Sequence, residues 1–298
     1  MSGSTLAGAT SNPSSVPALQ RAIEDGAKLK TLPDNTTPSL ASLAGQDTEV
    51  TTTGPLTPQR CLDYNQDQSS IPICDLGDSS SSHTMVLLGD SQARMWAQAF
   101  NLMATKEHER LIILDKDGCP PWLTTFLTAG LSPYPQCTAF HAFALAEIKK
   151  LHPARIYVTG GTGAVGDIGA DLSGATKLLK DLRRIAPDTT VLSNVPWPVL
   201  NPVTCLSAHS GNIGGCSMPY GEFKSSNAQF RQTLKTAATK SGASFADLDK
   251  LFCTTTTCPV VVNDVLVYAD DFHITWQYST YVAPALEQIL KSTLTARS

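Results

Sequence analysis

Long apolar runs are missing from this chain of 298 residues. No window approaches the ~18 uninterrupted apolar residues that a membrane-spanning helix requires, so no transmembrane segment is expected within it. Charge of one sign is missing too. The chain has 22 basic against 26 acidic residues, a formal net charge of −4. Such a balance leaves no electrostatic footprint for nucleic acid or an acidic membrane surface. The small, polar stretch Met1–Ser15 lacks the basic start and apolar centre of a secretion signal. No repeat period is present. The glycines of 160–166 lack the Lys-Ser/Thr ending of a phosphate loop. Cys253 and Cys258 are spaced loosely for zinc, and no second close Cys or His pair accompanies them, so no metal or other cofactor is expected.

The hydrophobic fraction of 42% is that of an ordinary globular protein, and the length suits one large domain or two small ones. Cysteine is well represented. All eight fall into neighbouring pairs: Cys61 and Cys74, Cys119 and Cys137, Cys205 and Cys216, Cys253 and Cys258. Eight cysteines allow 105 connectivities, and buried free thiols are the competing reading. An even count in Pro-, Gly- and Ser-rich surroundings suits four local disulfides, which persist in oxidising compartments. The expectation is an extracytoplasmic domain whose targeting information lies outside this chain.

Residues 1–15 read as disordered, Val16–Leu29 as a short amphipathic helix with Leu19, Ile23 and Ala27 on one face, and 31–60 as a linker or strap. From about residue 84, short apolar runs alternate with helical patterns. The expected strands are Thr84–Leu88, Leu111–Leu114, Arg155–Thr159, Thr190–Val195 and Ser244–Leu248. The expected helices are Gln92–Thr105, Thr138–Leu151, Leu172–Ile185, Phe223–Ser241 and Thr275–Lys291. This alternation implies a parallel sheet covered on both faces, a three-layer α/β/α fold. The division expected is an extension and linker over 1–55 and a catalytic domain over 56–298.

The run Met85–Leu88 ends in Gly89-Asp90-Ser91, and a helical pattern follows at once. Ser91 therefore sits where a strand turns into a helix, at the sheet edge where open α/β folds bind ligands. Unpaired N–H groups there favour a developing oxyanion, to which the Ser91 backbone would contribute. An N-cap serine is the plainer alternative. Gly77-Asp78-Ser79 is a second copy without an apolar strand before it, and reads as a loop. A nucleophilic serine needs a base. Of the six histidines, His273 alone has a carboxylate placed to orient it, Asp270, three residues upstream within Tyr268-Ala-Asp-Asp-Phe-His-Ile-Thr275. That carboxylate would fix the imidazole tautomer and stabilise the imidazolium.

These residues resemble the SGNH (GDSL) hydrolase superfamily over roughly 84–290, with Gly89-Asp90-Ser91 as its first block and Asp270-x-x-His273 as its last. The resemblance implies a flavodoxin-like topology, and an oxyanion donor at Gly118. Leu-Gly-Asp-Ser-Gln, Asp117-Gly118-Cys119-Pro120-Pro121 and Cys253–Cys258 resemble more closely a subgroup: the extracytoplasmic SGNH domains fused behind the membrane domain of acyltransferase-three proteins. Two departures stand out. The subgroup's histidine after the serine is Gln92 here, and the third block has no asparagine, so Thr162 or the backbone of Gly160–Gly163 would have to substitute. The resemblance implies an O-acyltransferase, passing an acetyl or similar group from a membrane domain through a Ser91 ester to a cell-envelope carbohydrate or glycolipid. A secreted esterase using water and an inactive glycan-binding module are the alternatives. Gln92, Gly161 and Trp197 are the expected substrate contacts, Trp197 because it follows a strand end where its ring can stack on a sugar.

Overall fold

The computed structural model describes residues 12–295 apart from 45, 47, 57–66, 74, 128–131, 162–167 and 199. In chain order the helices and strands begin with α1 (Val16–Gly26), α2 (Leu40–Leu43), α3 (Thr48–Thr53), β1 (Leu76–Gly77), β2 (Thr84–Gly89), α4 (Ser91–Arg94) and α5 (Ala97–Lys106). Then come β3 (Arg110–Asp115), α6 (Pro135–Leu151), β4 (Arg155–Val158), α7 (Ile168–Ile185), β5 (Asp188–Leu192) and α8 (Pro202–Ala208). The last are β6 (Met218–Pro219), α9 (Tyr220–Ser241), β7 (Ser244–Ala246), β8 (Thr257–Cys258), β9 (Val261–Val262), β10 (Val265–Leu266) and α10 (Trp276–Thr295).

Side chains alternate across the central strands and so divide the core in two. Met85 and Leu87 of β2, Leu111 and Ile113 of β3 and Tyr157 of β4 pack on one face, with Phe100 of α5 and Leu286 of α10. Val86, Leu88, Ile112, Leu114, Ile156 and Val158 pack on the other, with Phe140 of α6, Leu179 of α7 and Leu234 of α9. Both faces are covered, which is why these strands read as continuous apolar runs.

The sheet order is β1-β3-β2-β4-β5-β7. The strands from β3 to β7 are parallel and follow the order of the doubly wound, flavodoxin-like sheet, whose direction of winding reverses between β2 and β4. The carboxyl ends of those two strands flank the crevice where such folds bind ligands. One strand departs from the expected parallel sheet: β1 runs antiparallel to β3 at the edge. Only residues 78–83 connect it to β2, too few for the dozen or more that a parallel crossover needs.

The helix expected over 92–105 is two helices, broken where Trp96 caps α5. The helix expected over 16–29 ends at Gly26, and its fully buried Leu19 and Ile23 belong to the same core cluster as Tyr278 and Leu286. Helix α1 thus packs on the same core as α10. Disulfides join Cys119 to Cys137, Cys205 to Cys216 and Cys253 to Cys258. Cys61 and Cys74 lie outside the described residues. No described helix is long and apolar enough to cross a membrane.

Candidate active site

Gly89 ends β2 because nothing larger fits. A Cβ there would stand 2.0 Å from the Thr159 carbonyl oxygen and 2.7 Å from the Ala93 methyl. Asp90 then caps α4 and accepts hydrogen bonds from the Gln92 N–H at 2.8 Å and the Gly161 N–H at 2.9 Å. Burial pushes its carboxyl pKa up, and these two N–H groups oppose that rise. Asp90 therefore ties the end of β2 to the loop after β4. Ser91 follows it, half-buried, at the carboxyl edge.

The His273 ring meets Ser91 from across the sheet edge. Its Nε2 lies 2.8 Å from Ser91 Oγ, and its Nδ1 lies 2.9 Å from Asp270 Oδ2 and 3.0 Å from Oδ1. Asp270 Oδ1 also accepts the backbone N–H groups of Phe272 and His273, each at 2.7 Å. Ala269 N–H donates to the His273 carbonyl at 2.9 Å, so the turn closes on itself. Burial raises the Asp270 carboxyl pKa, but the hydrogen bonds and charge of His273 and the two backbone N–H groups outweigh it, leaving the group below its ordinary value. Asp271 makes no hydrogen bond to His273 among the described residues. The second Gly-Asp-Ser copy is elsewhere. Gly77 pairs with Arg110 at the start of β3, and the exposed Ser79 lies at the amino edge of the sheet, opposite Ser91.

Gly118 lies three residues beyond Asp115, the β3 partner of Gly89. Its φ of 59° is left-handed, which glycine adopts without a Cβ penalty. Neither its N–H nor that of Ser91 takes a partner among the described residues. Several contacts hold this turn: Lys116 N–H donates to the Gly89 carbonyl at 3.2 Å, Cys119 N–H to the Lys116 carbonyl at 3.1 Å, and Tyr134 Oη to the Asp117 carbonyl at 3.0 Å. The Cys119–Cys137 disulfide fastens it to α6. Ser91 and Gly118 thus follow the carboxyl ends of adjacent strands, β2 and β3.

A family model describing the SGNH domain that is fused to AT3 domains matches residues 60–288. This chain belongs to that SGNH family. Among solved structures, the SGNH domain here is similar to the periplasmic domain of the lipopolysaccharide acetyltransferase from Salmonella ser. Paratyphi A. The TM-score is 0.55 and the identity 16%, covering 74% of this chain and 85% of that one. At that identity the likeness speaks for the fold. No curated protein matches the chain.

Two of the expected substrate contacts of the SGNH domain, Gln92 and Gly161, are engaged within the protein. Gln92 is buried, and its Nε2 donates to the Phe272 carbonyl at 2.8 Å. That bond ties α4 to the loop that carries His273. Both backbone groups of Gly161 are engaged, the N–H by Asp90 and the carbonyl by Trp122 Nε1 at 2.8 Å. Thr162 lies outside the described residues. Trp197 is half-buried and meets the Phe272 ring edge-on at 5.8 Å. Phe272 is 49% exposed, directly before His273, and was not singled out in the sequence. Its exposure follows from the turn that Asp270 imposes, which no hydrophobic periodicity reports.

Proposed function

We propose that this SGNH domain moves an acyl group, acetyl in the simplest case, through an ester on Ser91 to a hydroxyl of a cell-envelope carbohydrate or glycolipid. The observation that carries the proposal is the unbroken hydrogen-bonded line from Ser91 Oγ through His273 to Asp270 at the carboxyl edge of the sheet. As Oγ attacks the acyl carbonyl carbon, His273 Nε2 takes its proton, and Asp270 holds Nδ1–H and balances the imidazolium. The carbonyl oxygen becomes an oxyanion, for which the N–H groups of Ser91 and Gly118 are the donors. Collapse breaks the bond to the donor's leaving atom, which receives the proton from His273, and the acyl group stays on Oγ. In the second half, an acceptor hydroxyl gives its proton to His273 and attacks the ester carbon. Ser91 then leaves with that proton.

The family's fusion to AT3 domains supports a membrane acyltransferase domain as the source of the acyl group, in the same polypeptide or as a partner. The three disulfides among the described residues support an extracytoplasmic site, and the fusion to AT3 domains in the family supports a membrane tether. Trp197 and Phe272 form an aromatic corner beside His273. Sugar C–H faces stack on such rings, and we assign the corner to the acceptor.

The test has two stages. The protein is treated with 4-nitrophenyl acetate and the adduct is mapped by mass spectrometry. Product release is then timed in water alone and with envelope oligosaccharides. The expected results are an acetyl adduct on Ser91, absent in Ser91→Ala, slow release in water and saturable acceleration by a glycan acceptor. An adduct on Ser79, or labelling unchanged in Ser91→Ala, overturns the assignment. Fast release that no glycan accelerates makes the domain an esterase with water as acceptor. No adduct at all makes it an inactive binding module.

A further inference from the structure

The nucleophile stands at the start of α4 and the proposed oxyanion donor Gly118 on the turn after β3, and nothing in the covalent chain holds one against the other. Arg94 does so through space. It is three residues beyond Ser91, at the end of α4, and is only 2% exposed. Its guanidinium faces two carboxylates. Nε lies 3.5 Å from Oδ2 of the fully buried Asp115, and Nη2 is in direct contact with Oδ1 of Asp117, the residue before Gly118. A guanidinium is held in so dry a place only by charge partners, and its planar fork bonds carboxylates in a fixed direction that an ammonium cannot reproduce.

We propose that Arg94 is a positioning residue that fixes the Gly118 N–H relative to Ser91 by bridging α4 to Asp117. The inference rests on the reading of Ser91 as nucleophile and Gly118 as oxyanion donor. Two independent strand ends, β2 and β3, must present their N–H groups to a single oxygen atom, and a misplacement near 1 Å costs roughly 10²-fold in rate. The other contacts of the turn act on its two flanks. Lys116 N–H bonds Gly89, and the Cys119 disulfide reaches α6. Arg94 alone among these joins the turn to the helix that carries Ser91.

The test compares Arg94→Met, Arg94→Lys and Asp117→Asn with the wild-type protein on 4-nitrophenyl acetate and on the corresponding thionoester. Rates are normalised to the burst amplitude, and folding is followed by thermal melting. An oxyanion hole is built for oxygen, so a wild-type site prefers the ester to the thionoester. The expected result is a fall in acylation rate on the order of 10² for the ester in Arg94→Met, the scale of a lost oxyanion donor. KM should change little, the ester-to-thionoester ratio should collapse, and Arg94→Lys should fall between. Asp117→Asn should collapse the ratio as well, and it carries the same test if Arg94→Met does not fold. A purely structural role would lower the active fraction for both esters alike and leave the ratio at its wild-type value, which overturns the proposal while the Ser91 mechanism stands. A wild-type protein without Ser91-dependent acylation overturns the functional reading itself, and this inference with it.

Discussion

Replacing Asp270 by Asn separates the roles of two adjacent carboxylates. The substitution keeps the shape and leaves one oxygen to accept the Phe272 and His273 N–H groups, both 2.7 Å away, so the turn should persist. The amide nitrogen takes the place of Oδ2, 2.9 Å from Nδ1. Two N–H donors cannot face each other, so the ring shifts to the tautomer with its proton on Nε2. That proton points at Ser91 Oγ, and the ring can no longer accept one from it. In serine proteases the corresponding change lowers turnover by about 10⁴, or ~5.5 kcal/mol in the barrier. We expect a loss of that order in acylation by 4-nitrophenyl acetate for Asp270→Asn, and less than about threefold for Asp271→Asn, since Asp271 makes no bond to the ring. Asp270 is held below its ordinary range in the folded state. Its contribution to stability is therefore present above the unfolded value, ~3.9, and is lost only as pH falls through the lower folded value. Unfolding followed by circular dichroism below about pH 4 should be less pH-dependent in Asp270→Asn than in the wild type. Equal losses of activity in the two variants, or a larger one in Asp271→Asn, would refute the assignment.

Gln92→Ala removes the donor to the Phe272 carbonyl and loosens the turn that carries His273. About a tenfold fall in acylation is expected, the equivalent of one ordinary hydrogen bond, with the melting temperature lowered slightly. Gly89→Ala places a methyl 2.0 Å from the Thr159 oxygen. Overpacking of this kind costs roughly 1–3 kcal/mol, readable as a lower denaturant midpoint, and it should displace Ser91 enough to depress activity as well. Non-reducing peptide mapping should recover the Cys119–Cys137, Cys205–Cys216 and Cys253–Cys258 peptides, and a Cys61–Cys74 peptide beside them. A free thiol on any of these eight would contradict the neighbour pairing.

The parts of the fold that were legible from the residues are those with a strong local period. The runs at 84–88, 111–114 and 155–159 are apolar on both faces because helices cover both, and each is a central strand. The parts that were not legible depend on partners distant in sequence. Two residues of β1 carry no period, and only their pairing with Leu111 and Arg110 makes them a strand. The run at 190–195 reads as strand to its end, yet β5 stops at Leu192. Asn194 turns its amide to the Gly160 carbonyl at 3.1 Å and helps fasten the loop beside Asp90. Gln92 reads as a substrate contact and Arg94 as an ordinary helix residue. Their partners, the Phe272 carbonyl and the Asp117 carboxylate, lie on other loops, so no spacing within 91–94 could announce them. The same reasoning separates the two Gly-Asp-Ser copies. A tripeptide says nothing about which edge of a sheet it occupies. Gly89 ends a strand whose parallel neighbour β3 leads to Gly118, and the His273 turn ahead of α10 meets Ser91 there, whereas Gly77 lies in an antiparallel edge strand and sends Ser79 to the opposite side. The apolar run ahead of Gly89 carries that information, and its absence ahead of Gly77 carries it equally.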